Sequence, residues 1–145
     1  MPSAETRREE LKLLFEQVKV CRRCPQLAAT RTQVVFGAGN ADADLMFVGE
    51  APGAREDEVG RPFVGRAGQL LDQLLGEIGL ERTDVFVTNV LKSRPPGNRD
   101  PEAEEIQACR PYLQRQVELI EPLSSLVAKL PSVQITRGSI SSTWR

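Results

Sequence analysis

A chain of 145 residues, 40% hydrophobic and 27% charged, has the length and composition of one globular domain with a real core. No run approaches the roughly 20 apolar residues of a membrane span, so no membrane partner is expected. The formal net charge of −1 gives a nucleic-acid partner no support from the total. Arg7-Arg8-Glu9-Glu10 interrupts any signal-peptide core, which leaves the cytoplasm as the expected compartment.

In chain order, Glu5 to Lys19 carries Leu11, Leu14, Phe15 and Val18 at helical spacing, with Ser3 or Thr6 available as a cap. Cys21-Arg-Arg-Cys24-Pro25 follows, and then an apolar strand, Leu45-Met46-Phe47-Val48. That strand runs into residues 49 to 65, a loop with four glycines, two prolines and four acids. No core needs such a composition, and the carboxyl end of an apolar strand is where open α/β sheets bind ligands. Within the loop, Glu56 and Asp57 either line the mouth of a site or, as the more ordinary account, are solvated acids.

A second amphipathic helix spans Gly68 to Leu80, and the next strand is Asp84 to Val90. The strand ends in a Pro/Gly-rich basic loop, residues 91 to 101. Pro101 with Glu102, Glu104 and Glu105 then opens a helix through Ile120, because proline and acids suit a helix N-terminus. Strand, loop, helix, strand, loop, helix implies a parallel sheet with both special loops on one edge. Arg22, Arg23, Arg31, Arg61, Arg66, Lys92, Arg94 and Arg99 lie in or beside these loops. They form a local basic footprint compatible with phosphate contact, although solvated surface charge explains them equally well. No repeat or surface stripe suggests assembly, so a monomer is expected.

The pattern breaks after Pro122. Residues 123 to 145 hold six serines and three basic residues, and all 20 acids lie before them. Leu126 to Leu130 has the composition for a short strand or a turn of helix; Ser132 to Arg145 gives little reason for a packed element. The expected division is a domain over 1–122 and a divergent, poorly ordered tail over 123–145, as after truncation or a change of reading frame.

Cys21 and Cys24, two residues apart and followed by Pro25, can present two thiolates to one metal, in a zinc or an iron–sulfur site. A redox pair is disfavoured because no strand precedes it, and two unrelated cysteines remain the bland alternative. Cys109 lies in the third helix, where a buried apolar role is equally natural. Three cysteines and no histidine cannot complete a four-thiolate set.

Gly-Glu-Ala-Pro-Gly from 49, Gly-Arg-Pro-Phe-Val-Gly-Arg-Ala-Gly from 60, Thr-Asn-Val-Leu-Lys-Ser-Arg-Pro-Pro-Gly-Asn-Arg-Asp-Pro from 88 and Ala-Cys-Arg-Pro-Tyr-Leu from 108 resemble, in this order, the family 4 iron–sulfur uracil-DNA glycosylases. The resemblance covers roughly residues 10 to 122. It implies a three-layer α/β/α fold with a central parallel sheet whose last strand and helix are missing here. It also implies a [4Fe–4S] cluster, uracil-containing DNA, single- or double-stranded, as partner, and hydrolysis of the N-glycosidic bond in base excision repair.

The chemistry of the residues agrees with that implication. A glycosylase must take the base out of the stack, read its edge and stabilise charge as the bond breaks. Phe63 has the aromatic face for stacking, and Asn89 can donate and accept at once, which suits the O4 and N3 edge of uracil and disfavours cytosine. A core aromatic and a strand-end amide are the bland readings of these two. Glu50 is placed to orient water or offset oxocarbenium-like charge. Related branches carry the activating acid one position later, where this chain has Ala51. Gly49 and Ala51 complete the substrate-binding set, and Arg61, Arg94 and Arg99 are the candidates for backbone phosphates.

Two departures accompany the resemblance. The family's cluster uses four cysteines; Cys21, Cys24 and Cys109 match three of them, and Ser93 stands at the fourth position. The family also has a late His-Pro motif whose histidine stabilises the uracil anion, and this chain has no histidine. The alternative expectation is therefore a non-catalytic iron–sulfur DNA-binding module, or a product that folds poorly.

Overall fold

The computed structural model describes residues 3–129 and 132–136. Helix α1, Ala4–Lys19, is capped by Ser3, whose side chain accepts from the Thr6 N–H at 3.2 Å. It buries Leu11, Leu14 and Val18 against helix α5, Ala103–Ile120. Two short helices were not expected. α2, Pro25–Thr30, starts on a proline, and α3, Ala54–Val59, lies inside the Gly/Pro-rich loop between Gly53 and a left-handed Gly60. Each has six residues, too few for an apolar period to show. Helix α4 runs from Arg66 to Glu77, beginning before the expected Gly68 and stopping before Leu80.

The strands are β1 (Ala38–Gly39), β2 (Leu45–Gly49), β3 (Phe86–Asn89), β4 (Ser124–Lys129) and β5 (Ser132–Thr136), in the order β1-β3-β2-β4-β5. β3, β2 and β4 are mutually parallel, while β1 and β5 pair antiparallel at the two edges. The sheet is therefore mixed, with the expected parallel arrangement confined to its three middle strands. β5 follows β4 after two residues, and a connection that short cannot make the crossover a parallel pair requires. The stretch from 124 supplies a third parallel strand beside β2, so the sheet extends past Pro122. The remainder of the tail, 137–145, lies outside the described residues.

Alternation along the strands makes three layers. Met46, Val48 and Phe86 face α1 and α5, in a cluster with Leu11, Leu113, Leu119 and Ile120. Leu45, Phe47, Val85 and Val87 face the other way, onto Leu71 and Leu75 of α4. Burying a Leu or Val of this kind stabilises by about 1.5–3 kcal/mol. Leu70 and Leu74 of α4, with Ile78 at its C-cap, form an exposed apolar stripe, 50–63% accessible, which corrects the expectation that no apolar surface stripe would be found. Among the described residues no helix is long and apolar enough to cross a membrane.

α5 begins two residues after Pro101, with Glu102 as its cap and Glu105 returning the capping bond to the Glu102 N–H at 2.9 Å. Glu105 is fully buried. It accepts from Arg99 at 2.7 and 2.8 Å and from Gln26 Nε2 at 3.0 Å, so one carboxylate joins α2, the 91–101 loop and α5. The Arg99 hydrogen bond holds the Glu105 carboxyl down at about 2.

Candidate active site

Both special loops leave the same edge of the sheet, as the strand order requires. Gly49 and Asn89 are register partners at the carboxyl ends of β2 and β3. A Cβ at position 49 would run into Asn89 Oδ1 and stand 2.6 Å from Phe63 Cζ. Glycine is thus what lets a backbone, an amide and an aromatic ring converge on one spot. Asn89 is 3% exposed; Phe63 is half-buried, its ring packed on the α4-facing cluster. Phe63 also has φ 53°, a left-handed backbone that costs a non-glycine residue about 1–3 kcal/mol unless its surroundings hold it.

Glu50 follows β2 directly and is half-buried, its carbonyl accepting from the Leu91 N–H at 3.0 Å. Ala51 turns away from this group and packs on the Leu27, Leu91 and Cys109 cluster. Asp57, expected as a solvated acid, is 4% exposed and accepts from the Thr32 N–H at 2.8 Å, so it ties α3 to the segment after α2.

Behind Asn89 lies a buried polar network that the sequence reading missed. Lys92 is 1% exposed, and its ammonium donates to Thr88 Oγ1 at 2.7 Å, to the Asn89 carbonyl at 2.6 Å and to Gln116 Oε1 at 2.6 Å. Gln116 Nε2 in turn donates to the Phe36 carbonyl at 2.8 Å. Three donors meet three acceptors, the condition under which a lysine tolerates burial. Desolvation still pushes its pKa down to about 7. Lys92 therefore does not belong to a basic surface. The available signal was its place four residues beyond Thr88, at the end of an apolar strand.

The other arginines divide. Arg61 is exposed at the rim of the 49–65 segment. Arg94 is half-exposed and donates to Asn98 Oδ1 at 2.6 Å. Arg99 is committed to Glu105, and Arg23 lies over the Tyr112 ring at 5.0 Å.

Cys21, Cys24, Ser93 and Cys109 line one cavity between the end of α1, the start of α2 and α5. Burial pushes the Cys24 thiol up to about 11, with Cys109 and Glu105 adding to the effect, and burial also raises Cys109. Ser93 is 5% exposed and its Oγ accepts from Arg31 at 3.2 Å. Among the described residues no three His, Cys, Asp or Glu side chains gather tightly enough to hold a single metal ion; the thiols border a cavity instead. Thiols whose burial and mutual proximity oppose thiolate formation are a donor set that a polynuclear cation would relieve, so the residues fit an iron–sulfur group.

The result is a parallel-centred α/β/α sheet in which the amide that ends β3 and the Phe63 ring meet over the glycine that ends β2. Residues 36–132 match the Uracil DNA glycosylase superfamily, and the chain belongs to that family. It is 56% identical over 115 residues to the type-4 uracil-DNA glycosylase of Sulfurisphaera tokodaii, covering 79% of this chain and 52% of that protein. With the type-4 enzymes of Saccharolobus solfataricus and Thermotoga maritima the identities are 54% over 115 and 53% over 117 residues, covering 79% and 81% of this chain and 53% and 60% of theirs. The chain thus spans little more than half the length of these relatives.

Proposed function

We propose that this chain hydrolyses the N-glycosidic bond of uracil in single- or double-stranded DNA, as a cytoplasmic monomer acting in base excision repair. The observation that carries this is the convergence of Asn89 Oδ1 and the Phe63 ring on the bare backbone of Gly49, where two loops leave the sheet. An aromatic ring and an amide held side by side are the groups that recognise a flat base displaced from the stack. Phe63 stacks on it, an interaction worth about 1–3 kcal/mol. Asn89 accepts from N3–H and donates to O4, a pattern cytosine cannot satisfy. Glu50, adjoining Gly49, orients the attacking water and offsets positive charge on the sugar as the bond breaks.

Arg61 and Arg94 take the backbone phosphates, and Arg99 takes the positioning role its pair with Glu105 gives it. Ala51 contributes through its main chain, which follows Glu50 along the rim. Cys21, Cys24 and Cys109 would hold a [4Fe–4S] group, with Ser93 at the remaining corner. When bound, that group supplies electron exchange and a cross-link between α1, α2 and α5. The test is release of uracil from a labelled oligonucleotide, read as abasic-site cleavage beside Glu50→Gln and Asn89→Ala controls. Product absent above those controls would sink the proposal.

A further inference from the structure

Arg82, in the turn of 3-10 helix Arg82–Asp84 that precedes β3, gathers with its guanidinium the segment that carries Phe63, through main-chain carbonyls alone on that segment. Nη1 donates to the Pro62 carbonyl at 3.2 Å. Nη2 donates to the Phe63 carbonyl and, at 3.1 Å, to the Gly68 carbonyl; Nε donates to Asp72 of α4. The approach is close on every side: a Cβ at Gly68 would collide with the Phe63 carbonyl and stand 3.1 Å from Arg82 Nη2. Phe63 is the residue whose backbone takes the left-handed conformation, at φ 53°. A carbonyl outside a strand or helix ladder still needs a donor, and a side chain can supply it.

We infer that Arg82 is a positioning residue for base recognition: one guanidinium, oriented by Asp72, captures the carbonyls of Pro62, Phe63 and Gly68, holds the left-handed turn at Phe63 and so sets the plane of its ring opposite Gly49. The planar fork of five N–H groups suits this task, and an ammonium cannot reproduce it. The inference rests on the reading of Phe63 as the stacking face. A merely structural ion pair would behave differently, since its loss would lower the melting temperature and leave the preference for uracil intact.

The experiment uses the full chain with Arg82→Gln, Arg82→Lys, Phe63→Ala and the Phe63→Ala/Arg82→Gln double variant. Fluorescence anisotropy measures affinity for a single-stranded oligonucleotide carrying uracil against the same strand carrying cytosine, the base whose edge Asn89 cannot match. In parallel, 4-fluorophenylalanine at position 63 reports ring placement by fluorine-19 NMR. Arg82→Gln should lower the uracil-over-cytosine preference about tenfold, because a displaced ring no longer holds the base edge against Asn89, and Arg82→Lys should restore only part of it. The double variant should be no worse than Phe63→Ala, and the fluorine resonance should move in Arg82→Gln. Unchanged preference with an unmoved resonance overturns the inference, as does multiplication of the two single effects in the double variant. If Arg82→Gln does not fold, Arg82→Lys gives the same readings with a partial loss expected. A wild-type chain without preference for uracil would contradict the base-reading proposal instead, and the resonance alone then decides whether Arg82 places the ring.

Discussion

Gly49 and Asn89 are register partners on parallel strands, and the missing side chain of the first lets the amide of the second and the Phe63 ring pack directly onto its backbone. A Gly49→Ala substitution should therefore close the site. The methyl would overlap Asn89 Oδ1 and lie 2.6 Å from Phe63 Cζ, displacing both proposed readers at once. Uracil release should fall at least 100-fold, measured beside a melting curve that separates a blocked site from an unfolded chain. Full activity with an unchanged melting temperature would mean that the base binds elsewhere.

Phe63→Ala should weaken binding of uracil-containing single strands by about 1–3 kcal/mol, roughly ten- to a hundredfold. The ring also packs on the cluster around Leu71 and Leu75, so some stability is lost too. Equal losses of affinity for the uracil strand and for an otherwise identical cytosine strand, whose base Asn89 cannot match, would assign Phe63 to the core alone.

Lys92→Met should destabilise the protein by about 2–4 kcal/mol, because Thr88, the Asn89 carbonyl and Gln116 lose a shared donor inside the core. Since one of those acceptors belongs to Asn89, uracil release should fall further than stability explains. Chemical denaturation together with kcat measured well below the melting temperature checks both parts.

Glu105 makes stability depend on acid. Its folded pKa is depressed from 4.5 to about 2, so its contribution is fully present above about pH 4.5 and is lost as pH falls through the folded value. Wild-type unfolding free energy should drop by about 2–3 kcal/mol over that interval, and Glu105→Gln should flatten this part of the curve. An identical acid limb in the variant would place the depressed carboxyl elsewhere.

Ser93→Cys should turn the cavity into a four-thiol site and lengthen retention of iron and of brown absorbance in air after anaerobic reconstitution. The Arg31 contact to Ser93 Oγ would be weakened in the same step. Iron content and colour lost at the same rate in wild type and variant would argue that this corner of the cavity does not ligate iron.

Much of the fold was legible because period and punctuation agree. Leu11, Leu14 and Val18 recur at helical spacing and are buried, and Leu71 and Leu75 do the same in α4. The convergence of Gly49, Phe63 and Asn89 followed from two strands ending in unusual loops on one edge. What escaped was of two kinds. Short helices such as α2 and α3 hold too few residues for a period, and the edge strands are set by the length of their connections rather than by their composition. The buried charges escaped for another reason: Lys92, Asp57 and Glu105 look like surface residues in a polar loop or a helix start, and only their tertiary partners make burial affordable. Arg99 was read as a phosphate ligand because its neighbours are basic and Pro/Gly-rich, whereas the carboxylate that engages it lies six residues on.

The central claim is that Phe63 and Asn89, brought together over Gly49, recognise uracil for hydrolysis. The most direct measurement is time-resolved uracil release from a single-stranded oligonucleotide by the wild-type chain, Asn89→Ala and Gly49→Ala. The account predicts abasic product from wild type and a loss of at least 100-fold in both variants at preserved melting temperature. Product formation that survives both substitutions would contradict it, as would wild-type release no faster than that of Glu50→Gln.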